Sequence, residues 1–567
     1  MKPISFKVFE GRSIYSHKKC IKLDFDMDGV SRLSQDDAEI FIKNLIRLLP
    51  KLSDHRCCSN DKHGLENYFK ESSYLHHICG HIAIALQNIM GIDVSFCSES
   101  RPNYDYFYTV YEYRYRNTGI EAGNIAVDII NSLIKNSTLD LSHKLSRLED
   151  VLNAEKSNLE CQSTFSSNTR KDIPIIAVTG TNGKTTTTRL IAFALSKAGF
   201  NVGMTTTDGI YINEECIFKG DNTGPRSALE VLSNNDINVA VLETARGGLV
   251  RNGLAYDLAD VAVITNVSDD HLGLDGIETI EDLAKAKFLV GEAVRNNGYV
   301  VINGDNALST DFIDSIKSRL IIFSGDKNNN FLRENINKGG YGVFTHNRIL
   351  YYENKHTLTE LMPVEEISIT VRGALKYNIE NAMAACGALI GLGVADWVIK
   401  YAISNFKCDE NLNPGRFNAF DVNGTLVILD YGHNINGYSS VLEGLSNIKH
   451  NNLIGVIGVP GDRLDRTTLE VGKIAGSYFD RIFVKEDKDR RGRLPGEIAE
   501  LLKKGVLSSG FDISNIKIIL DEETALSEAI DSSRPGDIVI IFFEDYIPLL
   551  KLVKAKITEG AKDPILV

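Results

Sequence analysis

The segment Thr179–Thr188, TGTNGKTTTT, constrains the fold of this chain more than any other stretch of its sequence. It follows the apolar run IPIIAV and opens TTTRLIAFALSKAG, which has the pattern of an amphipathic helix. A Gly-rich turn between a strand and a helix directs backbone N–H groups at phosphate oxygens, and the helix N-terminus adds partial positive charge. We therefore predict a nucleotide site, with a Gly-rich turn that binds no ligand as the alternative. Its residues are Thr179, Gly180, Thr181, Asn182, Gly183, Lys184, Thr185 and Thr186.

Within this loop, Lys184 is expected to neutralise the β- and γ-phosphates, and the Thr185 hydroxyl to bind Mg²⁺. The general phosphate-loop pattern begins with glycine, whereas Val178 stands at that position here.

The rest of the chain predicts an α/β fold. From Ile173 onward, short apolar strands alternate with amphipathic helices, and a second series with the same rhythm begins near Asn413. The 567 residues are too many for one hydrophobic core. We predict a small α+β domain over residues 1–156, a polar linker over 157–172, a central phosphate-loop α/β domain over 173–412 and a C-terminal Rossmann-like domain over 413–567.

Composition excludes several classes of protein. The net charge of −13 lacks the basic excess of a nucleic-acid-binding surface. No apolar run has the roughly 18 residues of a membrane span, and the first residues, MKPISFKVFEGRS, lack the apolar core of a signal peptide. The nine scattered cysteines are typical of a reducing compartment. We expect a cytoplasmic protein that binds neither nucleic acid nor membrane.

Two residues at predicted strand ends complete the nucleotide site. Glu243 closes the strand NVAVLETA, and His271 follows the next strand in NVSDDHLG. In a parallel sheet both would lie at the carboxyl edge beside the phosphate loop, where ligands bind. A carboxylate suits Mg²⁺ well and an imidazole less well, so a capping or core role is the alternative for His271.

A series of motifs in the same order resembles the Mur ligases, and in particular the Mur-like half of cyanophycin synthetases. The motifs are TGTNGKT, GMTTTDGIYI, GDNTGPRSA, VLETARGGLVRNGL, NVSDDHLG, NIENAMAA, PGRF, DYGHN, GVPGDR and KEDKDRRGR. The first 150 residues are also similar to the N-terminal domain of that family, through LPKLSDHRCCSN, LHHICGHIAIALQNI and VYEYRY.

The resemblance implies an ATP- and Mg²⁺-dependent ligase that forms an amide bond through an acyl phosphate. Arginine would be joined to the side chains of a polyaspartate acceptor. Complete cyanophycin synthetases carry an ATP-grasp domain between these two parts, and only a short polar stretch stands there in this chain. The backbone-extending activity would then come from an ATP-grasp-containing partner enzyme. We also expect a homo-oligomer.

The resemblance also implies roles for individual residues. Lys184 and Thr185 would hold phosphates and Mg²⁺, and Glu243 and His271 would hold metal. Lys287 would be a carbamylated lysine that binds a second Mg²⁺; Lys285 or a plain surface lysine are the alternatives. Asn381 would face the adenine, although Tyr377-Asn378 replaces the more usual His-Asn. From the C-terminal domain come the γ-phosphate contact Arg416, the ribose contact Asp430, and His433 near the acyl phosphate.

Two charged or polar segments are candidates for substrate binding. Carboxylates pair with a guanidinium, so Glu486, Asp487 and Asp489 suit arginine, and Arg491 and Arg493 could hold its carboxylate. A solvated charged loop is the alternative. The acidic acceptor would meet Thr205, Thr206, Thr207, Asp208 and Arg246, unless the threonines form only a structural turn.

Two histidines in the N-terminal domain, His77 and His81, are four residues apart on a predicted helix. We favour polymer contact or helix packing for them over a metal site, because no third ligand is identifiable. Two alternatives to the leading function stay open. One is a ligase of the same class with another amine or acceptor, such as polyglutamate or a peptide, and the other is a non-catalytic polymer-binding subunit.

Overall fold

The computed structural model describes residues 1–27, 33–50, 52, 74–99, 107–165, 173–268 and 277–559. The chain forms two compact units. The first comprises Met1–Asp172 with the segments Gly224–Leu229 and Gly247–Asp257, and the second comprises the remaining residues from Ile173 to Val567.

The first unit contains an antiparallel sheet in the order β1-β2-β4-β3. Its strands are β1 (Lys2–Phe9), β2 (Cys20–Asp26), β3 (Cys97–Glu99) and β4 (Phe107–Glu112). Its helices are α1 (Gln35–Leu48), α2 (Leu75–Ile89), α3 (Arg116–Ile134) and α4 (Leu141–Phe165). The predicted strand CIKLDFD and helix LHHICGHIAIALQNIM are confirmed. The predicted strand TVYEYRYR ends at Glu112, and its last residue, Arg116, begins α3.

The boundaries of the first unit differ from the predicted domain limits in two places. Residues 157–165, predicted as linker, continue α4, while residues 166–172 lie outside the described residues. The segment Gly247–Asp257, predicted within the central domain, groups with the first unit instead, where the Leu254 N–H donates to the Arg12 carbonyl at 2.8 Å. A local α/β rhythm carries no information about such a long-range backbone contact.

The central sheet of the second unit has eleven strands in the order β15-β14-β13-β12-β11-β10-β5-β9-β6-β7-β8. The seven strands from β13 to β6 are parallel, and both edges are antiparallel. The strands are β5 (Ile175–Thr179), β6 (Val202–Thr205), β7 (Gly209–Ile212), β8 (Glu215–Lys219), β9 (Val239–Glu243), β10 (Ala259–Ile264), β11 (Val294–Asn303), β12 (Arg319–Ser324), β13 (Tyr341–His346), β14 (Ile349–Glu353) and β15 (Leu358–Pro363).

The helices that accompany this stretch of the chain include α5, which directly follows the phosphate loop. They are α5 (Lys184–Lys197), α6 (Pro225–Leu232), α7 (Arg246–Asn252), α8 (Ile280–Glu292), α9 (Ala307–Thr310), α10 (Asn330–Asn337), α11 (Lys376–Gly391) and α12 (Asp396–Asn405). Strands β5 and β9 are buried along their whole length, which explains why they read as continuous apolar runs. The chain crosses from one side of β5 to the other between β9 and β10, so the carboxyl end of β5 is a topological switch point.

The predicted second α/β series forms its own sheet, in the order β16-β17-β21-β18-β19-β20. Only β16 runs antiparallel to its neighbour within this sheet. The strands are β16 (Asn418–Val422), β17 (Thr425–Asp430), β18 (Leu453–Ile457), β19 (Arg481–Val484), β20 (Ile516–Ile518) and β21 (Ile538–Phe542). The helices are α13 (Ile435–Ser446), α14 (Asp465–Tyr478), α15 (Glu497–Ser508), α16 (Glu522–Asp531) and α17 (Tyr546–Glu559).

None of the helices in the described ranges combines the length and the apolar composition needed to cross a bilayer.

Candidate active site

The phosphate loop lies between β5 and α5, where the sequence predicts it. Gly183 has φ of 82°, in the left-handed region that favours glycine. A Cβ atom at Gly183 would lie 2.0 Å from Asn381 Oδ1, and one at Gly180 would lie 1.9 Å from Thr265 Oγ1. These two positions therefore require glycine for close packing around the loop.

The loop is held from the segment after β10. The Thr181 N–H donates to the Asn266 carbonyl at 2.9 Å, and the Asn182 N–H donates to Asn266 Oδ1 at 3.0 Å. Lys184 Nζ donates to the Thr181 carbonyl at 2.8 Å and so lies along the loop. The N-cap residue of α5 is Gly183, which has no side chain to accept a hydrogen bond from the first N–H groups of the helix. This is the arrangement that binds anions.

Glu243 ends β9 beside the phosphate loop and is buried. It accepts hydrogen bonds from the Thr185 hydroxyl at 3.2 Å, from the Thr207 hydroxyl at 3.0 Å and from the Thr207 N–H at 3.3 Å. Burial raises the pKa of this carboxyl, while Lys184 and Arg416 act in the opposite direction. The three oxygen-bearing side chains thus form one cluster at the carboxyl edge of the sheet.

Lys287 is buried in α8, and its ammonium donates to the Gly180 carbonyl at 2.8 Å. Lys285, the alternative considered from the sequence, is exposed. The surface-lysine alternative for Lys287 is therefore wrong, while its carbamylation stays a prediction. His271 lies outside the described residues.

The segment predicted to meet the acceptor divides into two parts. Thr205 and Thr206 are buried, and the Thr206 hydroxyl accepts the Asp208 and Gly209 N–H groups at 3.2 and 3.3 Å, which is the structural turn considered as the alternative. Thr207 faces Glu243, and Asp208 accepts a hydrogen bond from Arg189 at 3.2 Å. Arg246 is buried at the start of α7.

Two further threonines of the loop, Thr179 and Thr186, make hydrogen bonds through their hydroxyl groups. The Thr179 hydroxyl donates to the Thr244 carbonyl at 2.8 Å, inside the sheet. Thr186 accepts a hydrogen bond from Asn413 at 3.2 Å, across the boundary between the central and C-terminal sequences.

The C-terminal domain contributes Arg416, Asp430 and His433 to the same place. Arg416 Nη2 donates to the Thr185 hydroxyl at 3.2 Å, and its guanidinium lies 4.6 Å from the centre of the Tyr431 ring. Asp430 is buried and accepts the Phe417 and Gly432 N–H groups at 2.9 and 2.8 Å; burial raises its pKa. His433 Nδ1 lies 3.0 Å from the Tyr431 carbonyl oxygen.

A reciprocal amide pair closes the contact between the two domains. Asn182 of the phosphate loop and Asn434, the N-cap of α13, each donate to the other, at 3.3 and 3.0 Å. These residues are 252 positions apart in the chain. Together with Arg416 they bring both domains onto one nucleotide loop.

A cavity of about 140 Å³ lies at this junction. Its lining includes eleven predicted residues: Thr181, Asn182, Gly183, Lys184, Thr185, Thr186, Thr207, Glu243, Arg416, Asp430 and His433. Asn381 lines it as well, with its amide donating to Asn378 at 3.0 Å, and Tyr377 lines it in place of the histidine that the resemblance would suggest. Reasoning from the sequence did not identify Asn266, Glu380 or Asn434, because each contributes through tertiary packing rather than through a local pattern.

The acidic segment predicted to bind arginine lies after β19 and does not line this cavity. Glu486 is buried and accepts the Gly496 and Ala499 N–H groups at 2.9 and 3.1 Å, so it caps α15. Asp487 pairs with Lys485 at 2.6 Å, and that lysine is only 1% exposed. Asp489 has 75% of its side chain exposed, although it accepts the Arg491 N–H at 3.1 Å and lies 3.9 Å from the guanidinium of Arg491.

The two arginines of that segment have carboxylate partners within the chain. Arg491 pairs with Asp462, and Arg493 pairs with Asp465 at 2.7 Å and with Glu497 at 2.6 Å. Their assignment to the carboxylate of the amino acid stays a prediction.

The histidines of α2 are buried. His77 and His81 have their Nε2 atoms 2.8 Å apart, and Cys97 Sγ lies 3.5 Å from His81 Nε2. In the described ranges no group of three His, Cys, Asp or Glu side chains is arranged to hold a metal ion. Burial favours the helix-packing interpretation of these histidines over polymer contact.

Three family models match the chain in succession. A cyanophycin synthase-like N-terminal domain matches residues 22–135, a Mur ligase middle domain matches 178–389, and a Mur ligase glutamate ligase domain matches 415–542. Residues 136–177 separate the first two and are too few for another domain of ordinary size.

Full-length relatives agree with these matches. The chain is 43% identical over 396 residues to a cyanophycin synthetase of Synechocystis, covering 69% of this chain and 45% of the relative. It is 40% identical over 391 residues to that of Geminocystis herdmanii, covering 69% and 44%. The chain thus spans less than half of the length of these relatives. A UDP-N-acetylmuramoyl-L-alanyl-D-glutamate–2,6-diaminopimelate ligase of Clostridium botulinum is 28% identical, covering 70% and 78%.

Solved structures support the fold. Escherichia coli FolC, in complex with DHPP and ADP, superposes with a TM-score of 0.52 at 19% identity, covering 68% of this chain and 89% of FolC. MurF of Acinetobacter baumannii superposes with a TM-score of 0.50 at 16% identity, covering 76% and 88%. The chain therefore combines a cyanophycin synthase-like N-terminal domain with the middle and glutamate ligase domains of the Mur ligases.

Proposed function

We propose that this chain is an ATP-dependent ligase that joins an amino acid to a carboxylate of an acidic peptide through an acyl phosphate. The observation that carries the proposal is the convergence of Lys184, Glu243 and Arg416 on one cavity. Lys184 and Glu243 come from the central domain and Arg416 from the C-terminal domain.

The groups in this cavity suit ATP. The N-terminus of α5 and the Lys184 ammonium would hold the phosphates, and Arg416 would add positive charge beside Thr185. The oxygens of Thr185, Thr207 and Glu243 form a cluster of hard donors that fits Mg²⁺. When bound there, Mg²⁺ would supply positive charge against the phosphate oxygens.

The reaction follows from a carboxylate held in line with the γ-phosphate. A carboxylate oxygen of the acceptor attacks the γ-phosphorus, the bond to the β-phosphate oxygen breaks, and ADP leaves. The amine nitrogen then attacks the acyl carbon, loses a proton, and inorganic phosphate leaves with the electron pair of the acyl–oxygen bond. Contact between the two domains would limit hydrolysis of the acyl phosphate by excluding water.

Arginine and a polyaspartate acceptor are the finer part of the proposal. Similarity to cyanophycin synthetases supports them, as does exposed Asp489, a carboxylate that could pair with a guanidinium. Thr207 and Asp208, next to Glu243, are the candidates for contact with the acceptor.

Mass spectrometry of products tests the proposal directly. The purified chain is incubated with ATP, Mg²⁺ and aspartate oligomers, together with arginine or lysine. The expected product is the oligomer carrying added arginine residues, with one phosphate released per addition. Phosphate release with another amine or with glutamate oligomers would redirect the substrate assignment, while no phosphate release with any acceptor would favour a non-catalytic subunit.

A further inference from the structure

A cavity of about 900 Å³ lies beside the C-terminal half of α5. Its walls come from α5, from strands β6 and β7, and from residues 406–412, which join α12 to the C-terminal domain. It shares no lining residue with the cavity that contains Lys184 and Glu243. This second space, called the α5 cavity below, is therefore not part of the site described for ATP.

Much of the wall of the α5 cavity is aromatic or aliphatic. Phe193 and Phe406 line it with their ring centres 5.7 Å apart, and Tyr211 and Met204 line it from the strands. Phe200, with 40% of its surface exposed, lines it as well. A concave apolar surface with few polar groups is typical of sites that bind small organic molecules.

Arg189 is the buried cation in this wall, with only 5% of its surface exposed. Its guanidinium lies 4.7 Å from the centre of the Tyr211 ring, and its Nη2 donates to the Tyr211 hydroxyl at 2.8 Å and to Asp208 at 3.2 Å. Its Nε is buried and has no hydrogen-bond partner in the described ranges. Since buried donors are nearly always paired, this nitrogen indicates that the guanidinium has room for a further acceptor.

The pair between Arg189 and Asp208 does not use the full capacity of the guanidinium. It is made through one nitrogen at 3.2 Å, whereas charge-assisted N–H···O bonds are typically about 2.7–2.9 Å and carboxylates often accept two N–H groups of an arginine. Asp208 is also 28% exposed, so water can hydrate its carboxylate if the pair opens. A second carboxylate can therefore share or take over this guanidinium.

The carboxylates that line the α5 cavity already have cationic partners. Glu214 accepts a hydrogen bond from the Ser196 hydroxyl at 2.6 Å and pairs with Lys197 at 3.3 Å. Glu410 pairs with Lys554 at 2.6 Å. Among the charged groups of the wall, the one with an unused hydrogen-bonding position is thus a donor, which favours an anionic ligand over a cationic one.

We propose that the α5 cavity binds a small carboxylic acid with an aromatic or otherwise apolar body, and that the carboxylate of this ligand pairs with Arg189. The apolar body would lie against Phe193, Phe200 and Phe406 and would remove their exposed surface from water. The carboxylate would accept hydrogen bonds from the guanidinium at the inner end of the cavity.

The position of the α5 cavity suits an effector. Arg189 holds Asp208, and the adjacent Thr207 donates to Glu243 at 3.0 Å. The segment 406–412 of the same wall leads to Asn413, which donates to Thr186 of the phosphate loop. An occupant would therefore contact groups that are linked to the phosphate loop without entering the cavity beside that loop.

Calorimetry with two small probes tests the site independently of ligation. The probes are 2-naphthoate, which carries a carboxylate, and 2-naphthamide, a neutral analogue of nearly the same shape. The wild-type chain should bind naphthoate at least about tenfold more tightly than naphthamide, because hydrogen bonds to a charged acceptor are the stronger ones. Added ADP should not displace naphthoate, since the α5 cavity and the cavity at the phosphate loop share no lining residue.

Arg189→Leu should bind the two probes about equally, and Arg333→Leu is its matched control. Arg333 also pairs with a carboxylate, Glu353 at 2.6 Å, and also lies over an aromatic ring, 4.9 Å from the centre of Phe344, but it does not line the α5 cavity. The Arg333→Leu variant should therefore keep the wild-type preference for naphthoate.

Three results with the wild-type chain would overturn the inference: no binding of naphthoate, equal affinity for naphthoate and naphthamide, or displacement of naphthoate by ADP. These results decide the question even if Arg189→Leu does not fold. A folded Arg189→Leu variant that keeps the preference for naphthoate would overturn it as well.

Discussion

At the scale of single residues, the cavity at the phosphate loop combines buried carboxyl groups with the cations Lys184 and Arg416. Burial raises the pKa values of Glu243, Glu380 and Asp430, whereas Arg416 lowers those of Glu243 and Asp430. Arg416 comes from the opposite domain, so the site depends on the domain contact for its charge balance. Under the proposed function a bound nucleotide would bring further negative charge, and Lys184 and Arg416 are the cations beside Thr185 that would meet it.

Lys184→Ala should abolish ATP-dependent ligation and leave the fold intact. Within the described ranges the ammonium donates one hydrogen bond, to the Thr181 carbonyl at 2.8 Å, so the protein should lose little packing, whereas the phosphates would lose a charged partner. Phosphate release and circular dichroism measure the two effects. Lys285→Ala removes an exposed lysine as a control and should keep full activity. Near-normal ligation by Lys184→Ala would contradict the assignment of the loop.

Glu380→Gln should make the nucleotide-free protein more stable, and more so as the pH rises. Because the pKa of Glu380 is about 7 in the folded chain and lower when unfolded, its folded-state stability is fully present below about pH 4.5 and is lost as the pH rises through about 7. The gain of the variant over wild type should grow by about 1 kcal/mol between about pH 6 and pH 8. Thermal unfolding at the two pH values measures it, and a gain independent of pH would contradict the raised pKa.

At the scale of elements, helix termini determine what the charged side chains can do. The N-terminus of α5 faces the phosphate loop, whereas the N-terminus of α15 is taken up by Glu486. Both sites use backbone N–H groups to bind negative charge. The carboxylate of Glu486 therefore caps a helix of the protein itself. Of the three acidic residues predicted to bind arginine, Asp489 is the exposed one.

Two separate replacements should have different effects: that of Glu486 should lower the stability of the protein, and that of Asp489 should weaken the binding of arginine. Glu486→Ala removes two hydrogen bonds at the N-terminus of α15 and should cost about 1–2 kcal/mol of stability. Asp489→Ala should leave the melting temperature unchanged and raise the Michaelis constant for arginine by about tenfold or more, with that for ATP unchanged. If Asp489→Ala leaves the arginine constant unchanged, the segment from Thr207 to Asp208 is the next candidate.

At the scale of the whole molecule, residues distant in the chain meet on the phosphate loop. Asn182 pairs with Asn434, Asn413 donates to Thr186, and Arg416 donates to Thr185. Each contact joins the central and C-terminal parts of the second unit. Within the described residues, the resulting cavity presents one phosphate loop and one cluster of oxygen-bearing side chains, formed by Thr185, Thr207 and Glu243.

This single site predicts that the chain does not build polymer from free aspartate and arginine alone. Extension of a polyaspartate backbone needs a backbone carboxylate in line with the γ-phosphate of ATP, whereas the addition of arginine needs a side-chain carboxylate there. One rigid site does not readily hold both. The chain is incubated with ATP, Mg²⁺, aspartate, arginine and a short primer, with and without an ATP-grasp-containing enzyme. Long polymer should form only with that partner, and arginine should enter supplied polyaspartate without it. Long polymer made by the chain alone would refute the prediction.

The sequence by itself determined the features that depend on neighbours along the chain. The strand, glycine-rich turn and helix around Lys184 follow from local pattern, and Glu243 was identified because it closes an apolar strand. The alternation of strands and helices likewise predicted both α/β sheets, since buried parallel strands must be continuous apolar runs.

Only the tertiary structure decided which partners the polar side chains of these strands and helices have. Glu486 looked like a substrate ligand because nothing local reveals that α15 begins eleven residues later with its N–H groups directed at the carboxylate. Glu380 lies inside the motif NIENAMAA but was not singled out, since its position where the cavity at the phosphate loop meets a neighbouring cavity is set by tertiary packing. The physical reason is the same in both cases: sequence pattern encodes which face of an element is buried, whereas the order of strands across a sheet and the contact between domains select the partners of each polar group.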